Sequence, residues 1–131
     1  MSQENVEVMR AVMNAFAGED LPAFLPLMDP DIQFEPHLAG VEGSYAGHDG
    51  VERFFADAFE TFEVLDAKYP DIRDLGDRVL VLGTLRFEGR ESGIQMENTL
   101  AIVARFREGL ITHLKDYADR DQALEAVGLR E

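Results

Sequence analysis

Two stretches in the second half of the chain are apolar at every position, where a strand with one face in water would alternate. They read Val79-Leu80-Val81-Leu82 and Leu100-Ala101-Ile102-Val103-Ala104. Successive side chains of a strand point to opposite faces, so both faces of a sheet built from these stretches must be covered. Helices of the same chain can cover one face. In a chain this small we expect a second copy to cover the other, with snorkelling surface side chains as the alternative.

Turn signals divide this half of the chain into four strands. From Val64 onward the apolar period shifts to two, and turn-forming residues stand at Gly76-Asp77, between Gly89 and Gly93, and at Glu108-Gly109. Strands joined by such short turns pair antiparallel, because a parallel return needs a crossover of about a dozen residues or more. The pattern therefore predicts an antiparallel meander.

A helix with one aromatic face precedes the meander. Its apolar side chains recur at helical spacing and are Val51, Phe54, Phe55, Ala58, Phe59 and Phe62. Charged side chains occupy the rest of its circumference, as expected for a helix that packs on a core with its back in water.

The first half of the chain contains two further helical patterns. One carries apolar residues from Val6 to Phe16, and a shorter one is capped by Asp20 and ended by Pro30. A strand at residues 31–35 and a long loop to Gly47 follow. Together with a last short helix after Asp119, these elements predict one α+β domain over residues 1–131, with three N-terminal helices packed on the sheet.

Composition excludes several classes of function. The 12 Lys and Arg against 26 Asp and Glu give a net charge of −14, which repels nucleic acids and anionic lipid surfaces. The chain has no Cys and three His, so disulfides and Cys-ligated zinc are excluded and a His-rich metal site is disfavoured. Because the first residues have neither a basic nor an apolar segment, we expect a cytoplasmic protein without a membrane span.

The order of elements and several short motifs resemble the SnoaL-like branch of the nuclear transport factor 2-like superfamily, beside the ketosteroid isomerases. The residues that carry this resemblance are Phe16-Ala17-Gly18-Glu19-Asp20-Leu21, Met28-Asp29-Pro30-Asp31, Tyr45-Ala46-Gly47-His48-Asp49-Gly50-Val51, Phe54-Phe55, Asp77-Arg78-Val79, Arg107-Glu108-Gly109 and Asp116-Tyr117-Ala118-Asp119-Arg120. The resemblance implies a cone-shaped, curved antiparallel sheet, a partly open barrel, that encloses one hydrophobic pocket. It also implies a homodimer formed through the convex face of the sheet. Functions vary widely among proteins of this fold, so the reaction stays open.

Glu35 is the first catalytic candidate that the resemblance suggests. It precedes Pro36, and ketosteroid isomerases carry an acidic general base followed by proline at this place. A carboxylate that projects into an apolar pocket has a raised pKa and is a competent proton acceptor. The two oxyanion donors of those isomerases align with Val12 and Ile102, which cannot donate a hydrogen bond, so steroid isomerisation itself is improbable.

Asp116 is the second catalytic candidate. It shares strand parity with Leu114 and Ala118, and the resemblance implies that this parity faces the pocket. The SnoaL-type cyclases that the chain resembles use an acidic residue from the late strands. The alternative is a strand-end carboxylate paired with Lys115, Arg120 or another basic residue.

The expected pocket lining combines aromatic, aliphatic and a few polar side chains. It comprises Phe34, His37, Tyr45, Phe54, Phe55, Phe59, Leu85, Phe87, Asn98, Leu100, Ile102 and Leu114. Asn98 shares parity with Leu100 and Ile102 and could orient a ligand carbonyl, although backbone groups satisfy most buried Asn side chains. His37 and Glu35 could form one pair of metal ligands, but a third ligand is lacking, so we expect no metal and no cofactor.

The sequence thus predicts a protein that binds a small apolar or semi-polar molecule. Isomerase, cyclase or hydratase activity through carboxylate acid/base chemistry is one hypothesis. The other is a non-catalytic ligand-binding or dimerisation module whose pocket is filled by its own side chains. The two differ in whether an ionisable group faces open cavity volume.

Overall fold

Four α-helices are present in the computed structural model, which describes residues 2–38 and 41–129. They are α1 (Ser2–Ala17), α2 (Leu21–Phe24), α3 (Gly47–Thr61) and α4 (Arg120–Ala126). The α2 helix continues as a 3-10 turn over Leu25–Leu27, because Pro26 cannot supply a helical N–H. Asp20 and Asp119 cap α2 and α4 through hydrogen bonds from the backbone N–H groups of Ala23 and Gln122. No helix in these two ranges is both long and apolar enough to cross a membrane.

Six strands form one curved sheet that does not close into a barrel. The described residues contain eight strands in all, which are β1 (Met28–Glu35), β2 (His37–Leu38), β3 (Val41–Glu42), β4 (Tyr45–Ala46), β5 (Phe62–Asp74), β6 (Arg78–Gly89), β7 (Gln95–Arg107) and β8 (Leu110–Asp116). The large sheet has the order β4-β1-β8-β7-β6-β5, and β2 pairs with β3 separately. The predicted α+β class and the antiparallel meander β5 to β8 are confirmed, whereas β1 runs parallel to β8.

The first strand begins earlier than the sequence predicts. It starts at Met28 and includes Pro30, which we expected to end the preceding helix. The register against β8 shifts between Met28 and Gln33, and proline is tolerated in a strand at such an irregularity.

A tight contact between β5 and β6 accompanies the curvature of the sheet. The register shifts between Lys68 and Asp71, a segment that includes Pro70. Across from it, a Cβ atom on Gly83 would overlap the carbonyl oxygen of Lys68. Glycine at this position lets the two backbones approach, and bulges of this kind increase strand bending.

The main core lies between the concave face of the sheet and helices α1 to α3. Phe54 contacts Phe34 edge to face at 4.8 Å between ring centroids, and Phe55 contacts Phe24 at 4.9 Å. Phe16 and Phe59 lie 5.3 Å apart beside them. Aromatic pairs in these geometries contribute beyond the area they bury, so the aromatic face of α3 anchors all three N-terminal helices to the sheet.

A second, smaller core covers part of the convex face. Leu80 and Leu82 of β6 and Ala101 of β7 are buried there against Ala123, Leu124 and Val127 at the C-terminal end of the chain. The α4 helix of the same chain therefore covers the apolar side chains that β6 and β7 present on the convex face. This finding removes the need for a second copy over these residues, while a homodimer through the rest of the convex face stays a prediction.

Candidate functional site

A small cavity lies between α1 and the concave face of the sheet. Its volume is about 40 Å³, room for about three water molecules or a short alkyl group. The lining residues are Met9, Val12, Met13, Phe16, Phe24, Phe34, His37, Leu38, Phe54, Leu85, Asn98, Leu100, Ile102, Leu114 and Asp116. The walls are thus apolar except for His37, Asn98 and Asp116.

Most of the expected lining residues lie at this cavity, and four do not. Phe34, His37, Phe54, Leu85, Asn98, Leu100, Ile102 and Leu114 line it. Phe55 and Phe59 instead pack on Phe16, and Phe87 packs edge to face on Phe62. Tyr45 contacts Phe34 and Phe54 from outside and carries the Arg53 guanidinium 5.3 Å above its ring. These four aromatic side chains support the cavity rather than line it.

Several lining residues were not proposed from the sequence. Met9, Met13 and Phe16 come from α1, Phe24 from α2 and Leu38 from β2. The spacing of Met9, Met13 and Phe16 identifies the buried face of α1, which is the signal that could have included them. Val12 and Ile102 also line the cavity. The cavity therefore has an aliphatic wall at the two positions where the resemblance places oxyanion donors.

Asp116 carries the carboxyl group of the cavity. Its Oδ2 accepts a hydrogen bond from the backbone N–H of His37 at 3.2 Å. The residue as a whole is partly buried, and it borders both the cavity and an open cleft on the outer surface. Burial raises the pKa of Asp116 from 3.8 to about 7, and the hydrogen bond and charge of His37 lower it by less. At neutral pH both the protonated and the ionised forms of Asp116 are populated.

The end of the β1–β8 pairing explains how Asp116 reaches this position. The last paired residues are Glu35 and Lys115, and Pro36, which follows, has no N–H to donate. The chain then turns into β2, and the His37 N–H bonds to the Asp116 side chain instead of to the backbone of β8. The Asp116 side chain thereby takes the place of the next backbone hydrogen bond between the β1 segment and β8.

Glu35 does not lie in the cavity, which corrects the expectation for the first catalytic candidate. Its side chain is 47% exposed, and its Oε1 lies 3.9 Å from Nζ of Lys115. The register pairs Phe34 with Leu114 on the concave face and Glu35 with Lys115. Because strand side chains alternate, Glu35 points to the convex face.

Asn98 uses both of its amide N–H groups on the backbone. Its Nδ2 donates to the carbonyl oxygens of His37 at 3.2 Å and of Thr99 at 3.1 Å. The amide therefore has only an acceptor oxygen left for a ligand, and a ligand carbonyl finds no donor here. Its bond to His37 also holds the β2 segment next to β7.

Metal-ligating side chains do not converge within the described ranges. No group of three His, Asp or Glu side chains there is placed to hold a metal ion. Glu35 faces the convex side while His37 lines the cavity, so the pair considered from the sequence is split between two faces.

Comparison with known proteins identifies the domain. The family model described as SnoaL-like domain matches residues 9–114. A nuclear transport factor 2-like protein of unknown function from Burkholderia pseudomallei is 25% identical, with 95% of this chain and 98% of that chain covered and a TM-score of 0.79. No protein of curated function matches the sequence.

Two similar solved structures contain small molecules. A hypothetical protein with a ketosteroid isomerase-like fold from Catenulispora acidiphila, in complex with trimethylamine, is 19% identical, with 95% of this chain and 94% of that chain covered and a TM-score of 0.76. TerC, co-crystallised with polyporic acid, is 24% identical, with 95% and 98% covered and a TM-score of 0.74. At these identities the likeness shows a shared fold.

Proposed function

The chain belongs to the SnoaL-like domain family, and from that premise we propose that it binds a small, largely apolar molecule in its cavity and exchanges a proton with it through Asp116. The observation that carries this proposal is the carboxyl group of Asp116, which lines a cavity that is apolar except for His37 and Asn98 and whose pKa burial raises to about 7. Carboxyl groups in such surroundings are suited to general acid/base chemistry.

The arrangement supports a proton transfer in which one carboxyl group takes up a proton and gives it back. The ionised Asp116 takes a proton from a carbon next to a carbonyl, the electron pair of the broken C–H bond moves onto the carbonyl oxygen to give an enolate, and the protonated Asp116 returns the proton to another carbon or to that oxygen as the enolate is consumed. Isomerisation and aldol-type cyclisation contain both halves of this step, and hydration of a double bond conjugated to a carbonyl contains the second half, the return of a proton to carbon. The His37 N–H holds Oδ2, which leaves Oδ1 for the ligand. Glu35, on the convex face, takes no part in this step.

The size of the cavity limits the ligand. About 40 Å³ accommodates a few non-hydrogen atoms, which is consistent with the trimethylamine bound to the protein of similar fold. A larger molecule requires side chains to move. Met9 and Met13 are the natural candidates because methionine is unbranched and adapts its rotamer at low cost.

Non-catalytic binding of a small amine is the second candidate. Phe16, Phe24, Phe34 and Phe54 surround the same small cavity, and the carboxylate of Asp116 supplies a negative charge. Aromatic rings with a nearby carboxylate are the groups that recognise alkylammonium ions. In either case the cytoplasmic location and the homodimer through the convex face stay predictions.

Hydrogen–deuterium exchange into small ketones tests the proposal without knowledge of the natural substrate. Butanone and cyclopentanone are incubated with the protein in D₂O, and deuterium at the carbons next to the carbonyl is followed by NMR. We expect the wild type to exchange deuterium into the ketones faster than buffer without protein does. Asp116→Asn should lose about 100-fold or more of this acceleration, since positioned acid/base groups contribute about 10² to 10⁴ to a reaction rate.

Glu35→Gln is the matched control, because it removes a carboxylate two residues from His37 on the opposite face. It should exchange like the wild type. Ketone binding without accelerated exchange, together with trimethylamine binding that is lost in Asp116→Asn, would replace the catalytic proposal by the amine-binding one.

A further inference from the structure

Asp116 and His37 border two spaces. On one side is the apolar cavity, and on the other is an open cleft of about 530 Å³ on the outer surface. The cleft lies between the end of β8 and α4, and Tyr117, Gln122, Glu125 and Ala126 are among its walls. The two spaces thus share Asp116, the residue that we propose as the proton carrier.

Asp116 and His37 lie where one of the two strand pairings of β8 stops. The β1–β8 pairing ends at Glu35 and Lys115, whereas on its other side Asp116 still pairs with Ile102 of β7. On the β1 side, the His37 N–H and the Asp116 side chain are joined by the 3.2 Å hydrogen bond, and both residues border the cavity and the cleft.

The cleft differs from the cavity in its chemistry. The side chains of Lys115, Tyr117, Gln122 and Glu125 offer an ammonium group, a hydroxyl, an amide and a carboxylate, and Nζ of Lys115 lies 5.0 Å from the centroid of the Tyr117 ring. Ala126 on α4 is small and exposed, and it lines the same cleft as Asp116. Such a surface favours a ligand part that carries hydroxyl or carbonyl groups.

We infer that the cleft is the second half of the ligand site and that the ligand is bipartite. Its short apolar head occupies the cavity, its larger hydroxyl- or carbonyl-bearing body occupies the cleft, and the reacting atom lies beside Asp116 between them. This inference rests on the proposed function, because it uses the same cavity and the same carboxyl group. It explains how a cavity of about 40 Å³ serves a ligand larger than a few atoms.

The experiment compares probes that share a butyl head. Affinities of 1-butanol, n-butyl glucoside and n-butyl acetoacetate are measured by NMR titration, with glucose as the control for the body alone. We expect at least one of the two bipartite probes to bind at least tenfold more tightly than 1-butanol. The gain should disappear in Ala126→Trp, which fills the cleft, and fall in Gln122→Ala.

Asp121→Trp is the matched control, because Asp121 is exposed on the same helix and does not border the cleft. Asp121→Trp should still bind the bipartite probe at least tenfold more tightly than 1-butanol. All three variants should bind 1-butanol with the affinity of the wild type. Binding of 1-butanol without any gain, a gain that survives Ala126→Trp, or an equal loss in Asp121→Trp would overturn the inference and leave the proposed function standing. If no probe binds at all, the proposed function fails together with the inference.

Discussion

The backbone N–H of His37 donates a hydrogen bond to Oδ2 of Asp116 at 3.2 Å, at the point where β1 and β8 diverge. The bond ties a segment at residue 37 to a side chain 79 positions later in the chain. It partly compensates a carboxyl group that burial disfavours in its ionised form. Four expectations follow from this site and from the packing around it.

The pH dependence of stability should report the raised pKa of Asp116. In the unfolded chain this carboxyl titrates near its ordinary value of about 3.9, whereas in the folded protein it titrates at about 7. The folded state therefore holds a proton that the unfolded chain releases, and stability falls as pH rises from about 4 to about 7 and is level above.

Asp116→Asn removes this pH dependence of stability, because the amide stays neutral at every pH and keeps an oxygen to accept the hydrogen bond of the His37 N–H. The difference in unfolding free energy should grow in favour of the variant between pH 4 and pH 7, toward at most about 4 kcal/mol. Urea unfolding of both proteins across this range measures it. A difference that stays constant with pH would contradict the raised pKa.

His37→Ala should raise the pKa of Asp116 further. The charge of His37 lowers this pKa, and the substitution removes the ring while it leaves the backbone N–H in place. Titration of the ¹³C-labelled carboxyl group by NMR measures the midpoint in both proteins. No shift would show that His37 acts on the carboxyl group through its backbone alone, and a downward shift would show that its ring acts mainly by burying that group.

Met13→Ala should enlarge the cavity at a cost in stability. Met13 is 3% exposed and lines the cavity, so truncation should destabilise the protein by about 2 to 5 kcal/mol. In return the variant should bind benzene more tightly than the wild type does. Met96→Ala is the control, since Met96 is only partly buried and does not line the cavity, and should leave benzene binding unchanged.

Arg90→Ala should loosen the junction between the helices and the sheet. The Arg90 guanidinium bonds to the carbonyl oxygen of Phe59 at 2.6 Å and to carboxylates of Glu19 at 2.7 Å and Glu63 at 3.3 Å. Since these side chains are partly exposed, we expect a loss of about 1 to 2 kcal/mol in unfolding free energy.

Arg86→Ala serves as the control for this loss, because Arg86 is exposed on β6. Its effect should stay within about 0.5 kcal/mol. Equal effects of the two substitutions would mean that the Arg90 contacts contribute nothing to stability.

Local patterns in the sequence determined much of this molecule. The apolar stripe that begins at Val51 identified α3, although its last predicted member, Phe62, begins β5, and the turn signals identified strands β5 to β8. The parity shared by Leu114 and Asp116, together with the family resemblance, predicted that this carboxylate borders the cavity. These features depend on residues close together in the chain, where helical and strand periodicity decide which side chains share a face.

Contacts between distant segments decided the rest. The parallel register of β1 against β8 directs Glu35 to the convex face. The α4 helix covers Leu80 and Leu82, where we expected a second copy. The β1–β8 pairing ends before Asp116, so its side chain accepts a hydrogen bond from the His37 N–H. Each is a choice of partner and register between segments far apart in sequence. A strand carries the same period whichever neighbour it pairs with, so periodicity alone cannot make that choice.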